Sequence, residues 1–348
     1  MATENRVAHN ITELRTAINT VTAVGCSTGV HEIYNITLDD SETNNVLDFN
    51  NEDFYYFNNH IFTPASNIDA GNRWGYTMNI DLGGATLSNI FLYKDKALFN
   101  NPVGNQSSSS SAIDSNSYLI VKNATFEIVS NGGYISNIYE YRNGNGANVT
   151  FKNCIFNIRA SDMSSHGLFR FGGKKHQFIN CVFNIMVSGD LYSVFHSDPT
   201  LAGGYNIYFA MYSCEIRLLM VDNVPSKGIY YFLGTAYDCI DISDCIYFLD
   251  CLWTDSSKII RVVEVEKNTI SPPIKKFSNN FIGALRDYST KMLSYYHSRF
   301  IEQGNYTFID GDKINMASSS SHNKFLTTAQ CKDRDALIAA GYVFAAEM

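Results

Sequence analysis

Long apolar runs, basic clusters and the short motifs of common enzymes are all missing from this chain of 348 residues. No stretch reaches 18 apolar residues, so a membrane-spanning helix is not expected. The first residues, Met1-Ala-Thr-Glu-Asn5, are polar and do not read as an export signal. Charged residues make up only 17%, and 34 acids against 26 bases give a net charge of −8 without a basic run, which excludes the usual phosphate-neutralising surface of a nucleic-acid binder. No Gly-x-Ser-x-Gly elbow surrounds Ser164 and Ser165, and the glycines Gly144, Gly146, Gly172 and Gly173 do not lead into Gly-Lys-Ser/Thr. His166, His176 and His196 are spaced too widely for a local metal site. No cofactor is implied.

What the chain does have is a phrase written three times. Val121-Lys-Asn-Ala-Thr-Phe-Glu-Ile128 returns as Phe151-Lys-Asn-Cys-Ile-Phe-Asn-Ile158 and again as Phe178-Ile-Asn-Cys-Val-Phe-Asn-Ile185. Its small fourth residue defines a column, Ala124, Cys154, Cys181, Cys214 and Cys245, at intervals of 30, 27, 33 and 31 residues, and Asn280 follows 35 later. Apolar residues at every second position describe a strand with one buried face, and recurrence after about 30 residues describes a solenoid of such strands. Unequal intervals with a preserved phrase place the length differences in corner loops. Met78 to Leu87, with Gly83-Gly84 inside it, reads as an earlier copy with a glycine corner, and Gly304 to Asp310 as a last one.

The eight cysteines suit this pattern better than a disulfide framework, because three or four of them fall at the same inward phase, where a thiol acts as a small hydrophobe. Cys239, Cys245 and Cys251 have spacings that fit no common zinc site. Asn10-Ile-Thr-Glu13 has the form of a capping box, with Leu14, Ala17, Ile18 and Val21 on one helical face. Such a helix can cover the open end of a solenoid or bind a partner. Val30 to Leu38 supplies the first strand material. The rings of Phe54 to Phe57, Phe62, Trp74 and Tyr76 either pack on a coil or face a sugar or a neighbouring subunit. The serine-rich stretch 100–117, Asn143 to Gly146, Gly172 to Lys175 and Pro199 to Gly204 are corner loops, where binding residues would sit. A closing helix is expected from Thr327 or Thr328, with Gly341 as its C-cap.

The repeated phrase, the N-terminal helix and the segment Leu326 to Phe344 together resemble the right-handed parallel β-helix proteins, pectate-lyase-like in architecture, of bacteriophage tails and fibres. In that segment Gln330, Lys332, Asp333, Leu337, Gly341 and Tyr342 match the closing pattern of such proteins. The expected fold is therefore all-β, a right-handed parallel β-helix with short capping helices at both ends: residues 1–25 as N-terminal cap, 26–317 as β-helix, and 318–348 as closing segment. The resemblance implies a virion appendage component, assembled in the host cytoplasm and mediating assembly or host attachment. Its implied partners are copies of itself, commonly three, other virion proteins and host surface polysaccharide. Tyr230, Tyr231, Tyr295 and Tyr296 are candidate interface rings, though they can equally be core.

The alternative is a polysaccharide depolymerase, a lyase or glycoside hydrolase, which needs two convergent carboxylates or a carboxylate beside a basic residue. The calcium ligands and catalytic base of pectate lyases have no counterpart here that can be matched residue by residue. The densest acidic region holds the candidates Asp238, Asp241, Asp244 and Asp250, with Asp255 beyond. Asp238 and Asp244 share strand parity if one strand runs through both, and Arg142, Arg159, Arg170 and Lys174 are the basic residues to look for beside them.

Overall fold

The computed structural model describes residues 3–21, 32–39, 46–49, 76–93, 97–100, 118–138, 148–171, 175–197, 208–221, 229–235, 239–251, 259–265, 275–278, 280–284, 293–295, 300–303, 306–309 and 324–325. They form an all-β architecture with one helix and one large parallel sheet. In chain order come β1 (Thr3–Ala8), α1 (Ile11–Asn19), β2 (Glu32–Leu38), β3 (Val46–Asp48), β4 (Tyr76–Tyr93) and β5 (Ala97–Asn100). Next are β6 (Tyr118–Asn131), β7 (Tyr134–Ile138), β8 (Asn148–Phe171), β9 (Lys175–Ile179), β10 (Val182–Ser197) and β11 (Tyr208–Tyr212). Then follow β12 (Glu215–Met220), β13 (Ile229–Thr235), β14 (Cys239–Ser243), β15 (Ile246–Cys251), β16 (Ile259–Val265) and β17 (Lys275–Ser278). The last are β18 (Phe281–Ala284), β19 (Leu293–Tyr295), β20 (Phe300–Gln303), β21 (Tyr306–Ile309) and β22 (Lys324–Phe325).

The pairings sort these strands into three parallel ladders that the chain visits in rotation. The first runs β1, β2, the starts of β4, β6 and β8, then β9, β11, β14, β17 and β20. The second runs β3, the later parts of β4, β6 and β8, then β10, β12, β15, β18, β21 and β22. The third joins β5, β7 and the ends of β8 and β10 to β13, β16 and β19. Register follows the repeated phrase: Ala124 pairs with Cys154, and the residues after the small position pair as Ile155 with Val182, Val182 with Glu215, Glu215 with Ile246 and Ile246 with Phe281.

Strict in-register stacking turns like residues into columns. Phe126, Phe156 and Phe183 stack face to face at 5.0 and 5.1 Å, with interplanar angles of 9°. Phe151 stacks on Phe178 at 5.3 Å and Phe169 on Phe195 at 4.9 Å. The columns meet edge to face, as Phe156 does with Phe169 at 5.4 Å, so one core carries rings from all three ladders. Burying each ring contributes about 1.5–3 kcal/mol.

Between the first and second ladders the chain turns at one residue per pass. Asn123, Asn153, Asn180, Ser213 and Asp244 have φ between 51° and 59°, the left-handed region that Asn and Asp tolerate better than branched residues. Their side chains also link the passes: the Asn123 amide donates to Asp81 at 2.8 Å, Asn153 to Asn123 at 3.0 Å and Asn180 to Asn153 at 2.9 Å. Backbone bonds continue across the corner, from Asn180 N–H to the Tyr212 carbonyl and from Ser213 N–H to that of Ser243. The earlier pass uses a wider corner with Gly83 at φ 63° and Gly84 at φ 89°, and a Cβ on Gly83 would lie 2.7 Å from the Leu38 carbonyl oxygen. Burial raises the Asp81 carboxyl, but the Asn123 amide, Lys122 and the Gly83 N–H outweigh it and hold the group below its ordinary value.

The N-terminal end differs in detail from the sequence expectation. A strand, β1, precedes the helix and pairs with β2, so Glu32–Leu38 is the second strand of its ladder and not the first. Asn10 caps α1 by accepting from Glu13 N–H at 2.9 Å, while the Glu13 carboxylate accepts from His9 N–H, one residue earlier than in the usual capping box. Leu14, Ala17, Ile18 and Val21 are buried. Arg6 reaches from β1 to the Ala17 carbonyl and the Thr20 hydroxyl at the helix C-terminus, where a cation is favoured. At the other end, Lys324–Phe325 pairs beyond Tyr306–Ile309. The rings at 54–62 and Trp74, the corner loops at 101–117, 143–146, 172–174 and 199–204, and the closing motif at 326–344 lie outside the described residues. Among the described residues, no helix is long and apolar enough to cross a membrane.

The asparagine corner separates two costs. Asn153→Gly keeps the positive φ and removes the amide link, so it should lower the unfolding free energy by about 1 kcal/mol. Asn153→Ala adds the left-handed penalty and should cost about 2–3 kcal/mol in all, read from urea unfolding curves. Equal losses for the two variants would show that backbone conformation is not what the corner selects.

Candidate functional site

Alternation along the first ladder sends His176, Phe178, Phe209, Met211, Ile240 and Ile242 into the core and leaves their neighbours on the outer face. There Lys175 and Gln177 of β9, Tyr208 and Tyr212 of β11 and Asp241 of β14 form one half-exposed cluster. Tyr208 pairs in register with Lys175, and the small Ala210 stands between Gln177 and Asp241. The Tyr212 hydroxyl donates to Asp241 Oδ2 at 2.9 Å and lies 2.8 Å from the Tyr208 hydroxyl. The Lys175 ammonium sits over the Tyr208 ring, 5.1 Å from its centroid. Burial first, then the Tyr208 hydroxyl and the Asp241 carboxylate, push the Tyr212 phenol far above its ordinary value. Tyr212 is therefore a fixed neutral donor, and the cluster offers two ring edges, a carboxylate and a cation on a rigid sheet.

Of the acidic candidates, Asp241 alone has a described place in this cluster. Asp244 sits at φ 59° in the corner after β14, so strand parity does not carry through it, and it continues the asparagine column. Asp250 is in β15 opposite Leu219, with its side chain outside the described residues, as are Asp238 and Asp255 entirely. The Asp241 carboxylate accepts from the Tyr212 hydroxyl. Arg159 and Arg170 belong to the second and third ladders, and Arg142 and Lys174 lie outside the described residues. His176 is in the core, and His196 is buried in the third ladder with the Tyr192 ring edge-on at 5.3 Å. Among the described residues no group of three His, Cys, Asp or Glu could hold a metal ion.

Of the four candidate interface rings, Tyr230 and Tyr231 are in β13 and Tyr295 in β19, all on the third ladder, while Tyr296 lies outside the described residues. Tyr208 and Tyr212 escaped sequence reasoning, although Tyr208-Phe-Ala-Met-Tyr212 carries the signal: two tyrosines four apart in a strand share a face.

The small-residue column is structural. Cys154, Cys181 and Cys214 point their thiols at the carbonyls of Val121, Phe151 and Phe178, each three residues before the small position of the preceding pass, at 3.7, 3.5 and 3.5 Å. Asn280 takes over this role with an amide: it donates to the Ile242 carbonyl at 3.1 Å and accepts from Cys245 N–H at 2.9 Å. The Cys181 thiol, then burial, raises Cys154 well above its ordinary value, and burial does the same to Cys181 and Cys214.

Such thiols resist chemistry while folded. Cys154, Cys181 and Cys214 should react with an alkylating reagent at mildly alkaline pH only after unfolding, in a thiol count with and without denaturant. Their folded values exceed the unfolded one near 9.0, so the stability they contribute is complete below that pH and is lost as pH rises above it. Labelling of the native protein at these positions would contradict the buried column. Compared with known proteins, the chain matches no family model, no curated protein and no solved structure.

Proposed function

We propose that the chain is a right-handed parallel β-helix, its three ladders being the three faces, and that it serves as a structural or adhesion component of a bacteriophage appendage. The observation that carries this reading is the rotation of the chain through three in-register parallel ladders, with aromatic and asparagine columns running across successive passes. A body built that way is long and stiff and presents fixed faces, which suits a spacer or attachment module. The Tyr208, Tyr212 and Asp241 cluster suits surface polysaccharide: ring edges pack against the apolar patches of a sugar, and a carboxylate bonds its hydroxyls. The Asp241 carboxylate is oriented by the Tyr212 hydroxyl, which suits an acceptor for sugar hydroxyls.

Binding of the purified chain to a panel of bacterial capsular and lipopolysaccharide glycans tests the reading. One class of polysaccharide should bind, and Tyr208→Ala and Asp241→Asn should each weaken that binding about tenfold, the loss of one good contact of about 1.4 kcal/mol. Release of reducing ends or unsaturated sugars during incubation would make the protein a depolymerase instead. Binding that ignores both substitutions would remove this face from the proposal.

A further inference from the structure

In the first ladder, β4 contributes Asp81 and β14 contributes Asp241, and the paired segments between them, 118–122, 148–152, 175–179 and 208–212, contain no acid. Both flanking carboxylates are engaged. Asp81 is held by Lys122 at 3.0 Å and by the Asn123 amide, and Asp241 accepts from the Tyr212 hydroxyl. Lys152, exposed and aligned with Lys122, and Lys175, over the Tyr208 ring, make no ion pair among the described residues. Between these two cations Thr150 and Gln177 pair in register, and their side chains make no hydrogen bond among the described residues. Elsewhere outward amides of adjacent passes bond to one another, as Asn184 does to Asn157 and Asn79 to Asn35. Here two ammonium groups and two polar side chains remain available, in a chain whose net charge is −8.

We propose that the glycan held on this face is an acidic polysaccharide, whose spaced anions engage Lys152 and Lys175 while Thr150 and Gln177 bond the hydroxyls between them. This rests on the glycan-binding reading of the Tyr208, Tyr212 and Asp241 cluster and adds the charge of the ligand. Lys152 aligns with Ile179, four residues after Lys175, so the two backbone positions lie about 13 Å apart along the strand and about 4.8 Å across it, roughly 14 Å in all. The Lys175 ammonium leans toward β11, over Tyr208, and so away from Lys152. That diagonal exceeds one sugar ring: a polymer spans both cations, whereas a single acidic sugar meets one. Each anion gains a charge-assisted hydrogen bond. A neutral polymer laid over the same path would strip water from two ammonium groups and return no charge to them. Asp241 stands two strands from Lys175, with β11 between, so it flanks the path of the anions and stays an acceptor for hydroxyls.

Binding of the full chain to hyaluronan, which carries a carboxylate on alternate sugars, to carboxyl-reduced hyaluronan and to free glucuronate tests this. Hyaluronan should bind about tenfold more tightly than its reduced form, lose affinity as salt rises, and resist displacement by an equal concentration of glucuronate. Lys152→Ala and Lys175→Ala should each weaken it about tenfold, the loss of one charge-assisted bond. Lys152→Arg should retain it, and both Lys152 variants should keep the parent melting curve, since that side chain has no bond to lose. Hyaluronan left unbound, both polymers bound alike, or binding indifferent to Lys152 and Lys175 overturns the acidic ligand. Neutral glycans that still bind and respond to Tyr208→Ala would then leave the glycan-holding face standing without it, whereas binding to no glycan at all removes both. Duplex DNA bound as tightly as hyaluronan would make the face a general polyanion surface and overturn the proposal too.

Discussion

One backbone constraint sets the phase of everything else: at five successive passes the chain turns from the first ladder to the second through a single residue at positive φ. Asparagine meets it at Asn123, Asn153 and Asn180 because its short amide tolerates that conformation. The same amide then reaches back to the pass before, so the residue that permits the corner also joins neighbouring corners. Fixing the corner fixes register. Slippage by one residue would send Phe156 to solvent and Ile155 to the core, since side chains alternate along a strand. The next residue must then be small and buried, as Ala124, Cys154, Cys181, Cys214 and Cys245 are.

Given that register, the core assembles by repetition. Phenylalanines stack on phenylalanines of adjacent passes and meet other columns edge to face, so each ring is held by neighbours in two directions. The thiol column adds weak bonds to carbonyls of the preceding pass at the corner. Asn280 shows the limit of the rule. At the pass where the thiol ends, a fully buried amide makes two stronger bonds with the same backbone groups, and its polarity is tolerated because both ends are satisfied.

What was legible in the sequence follows from what repeats. The phrase around Asn153 and Cys154 recurs because its positions face identical neighbours on either side, so the second ladder and its corner could be aligned from text alone. The third ladder shares no long phrase: apart from Phe169 with Phe195, it pairs residues as unlike as Ala97 with Tyr134 and Ser136 with Phe169. β1 was invisible for a different reason. Of Thr3 to Ala8 only Ala8 is buried, and Val7 is 58% exposed, so the segment lacks the alternation that marks a strand and is held by pairing to β2. In the candidate site, Asp241 stood out through acidic density, whereas Tyr208 and Tyr212 were submerged in a chain with 22 tyrosines. The corner role of Asp244 was hidden because aspartate, asparagine and serine are interchangeable there only in backbone terms.

Corners and core consume the inward half of every strand, which leaves the outward half free to differ from face to face. Two outer faces have diverged accordingly: one gathers phenols, a carboxylate and an ammonium into a cluster, and the other mixes exposed apolar side chains with an Asn184–Asn157 bond and an Arg217–Glu215 ion pair. Each residue on them stands on a backbone already fixed by stacking on both sides, so little further ordering would be needed to hold a ligand there. A flat array at strand spacing offers repeated, preset contacts to a ligand that itself repeats.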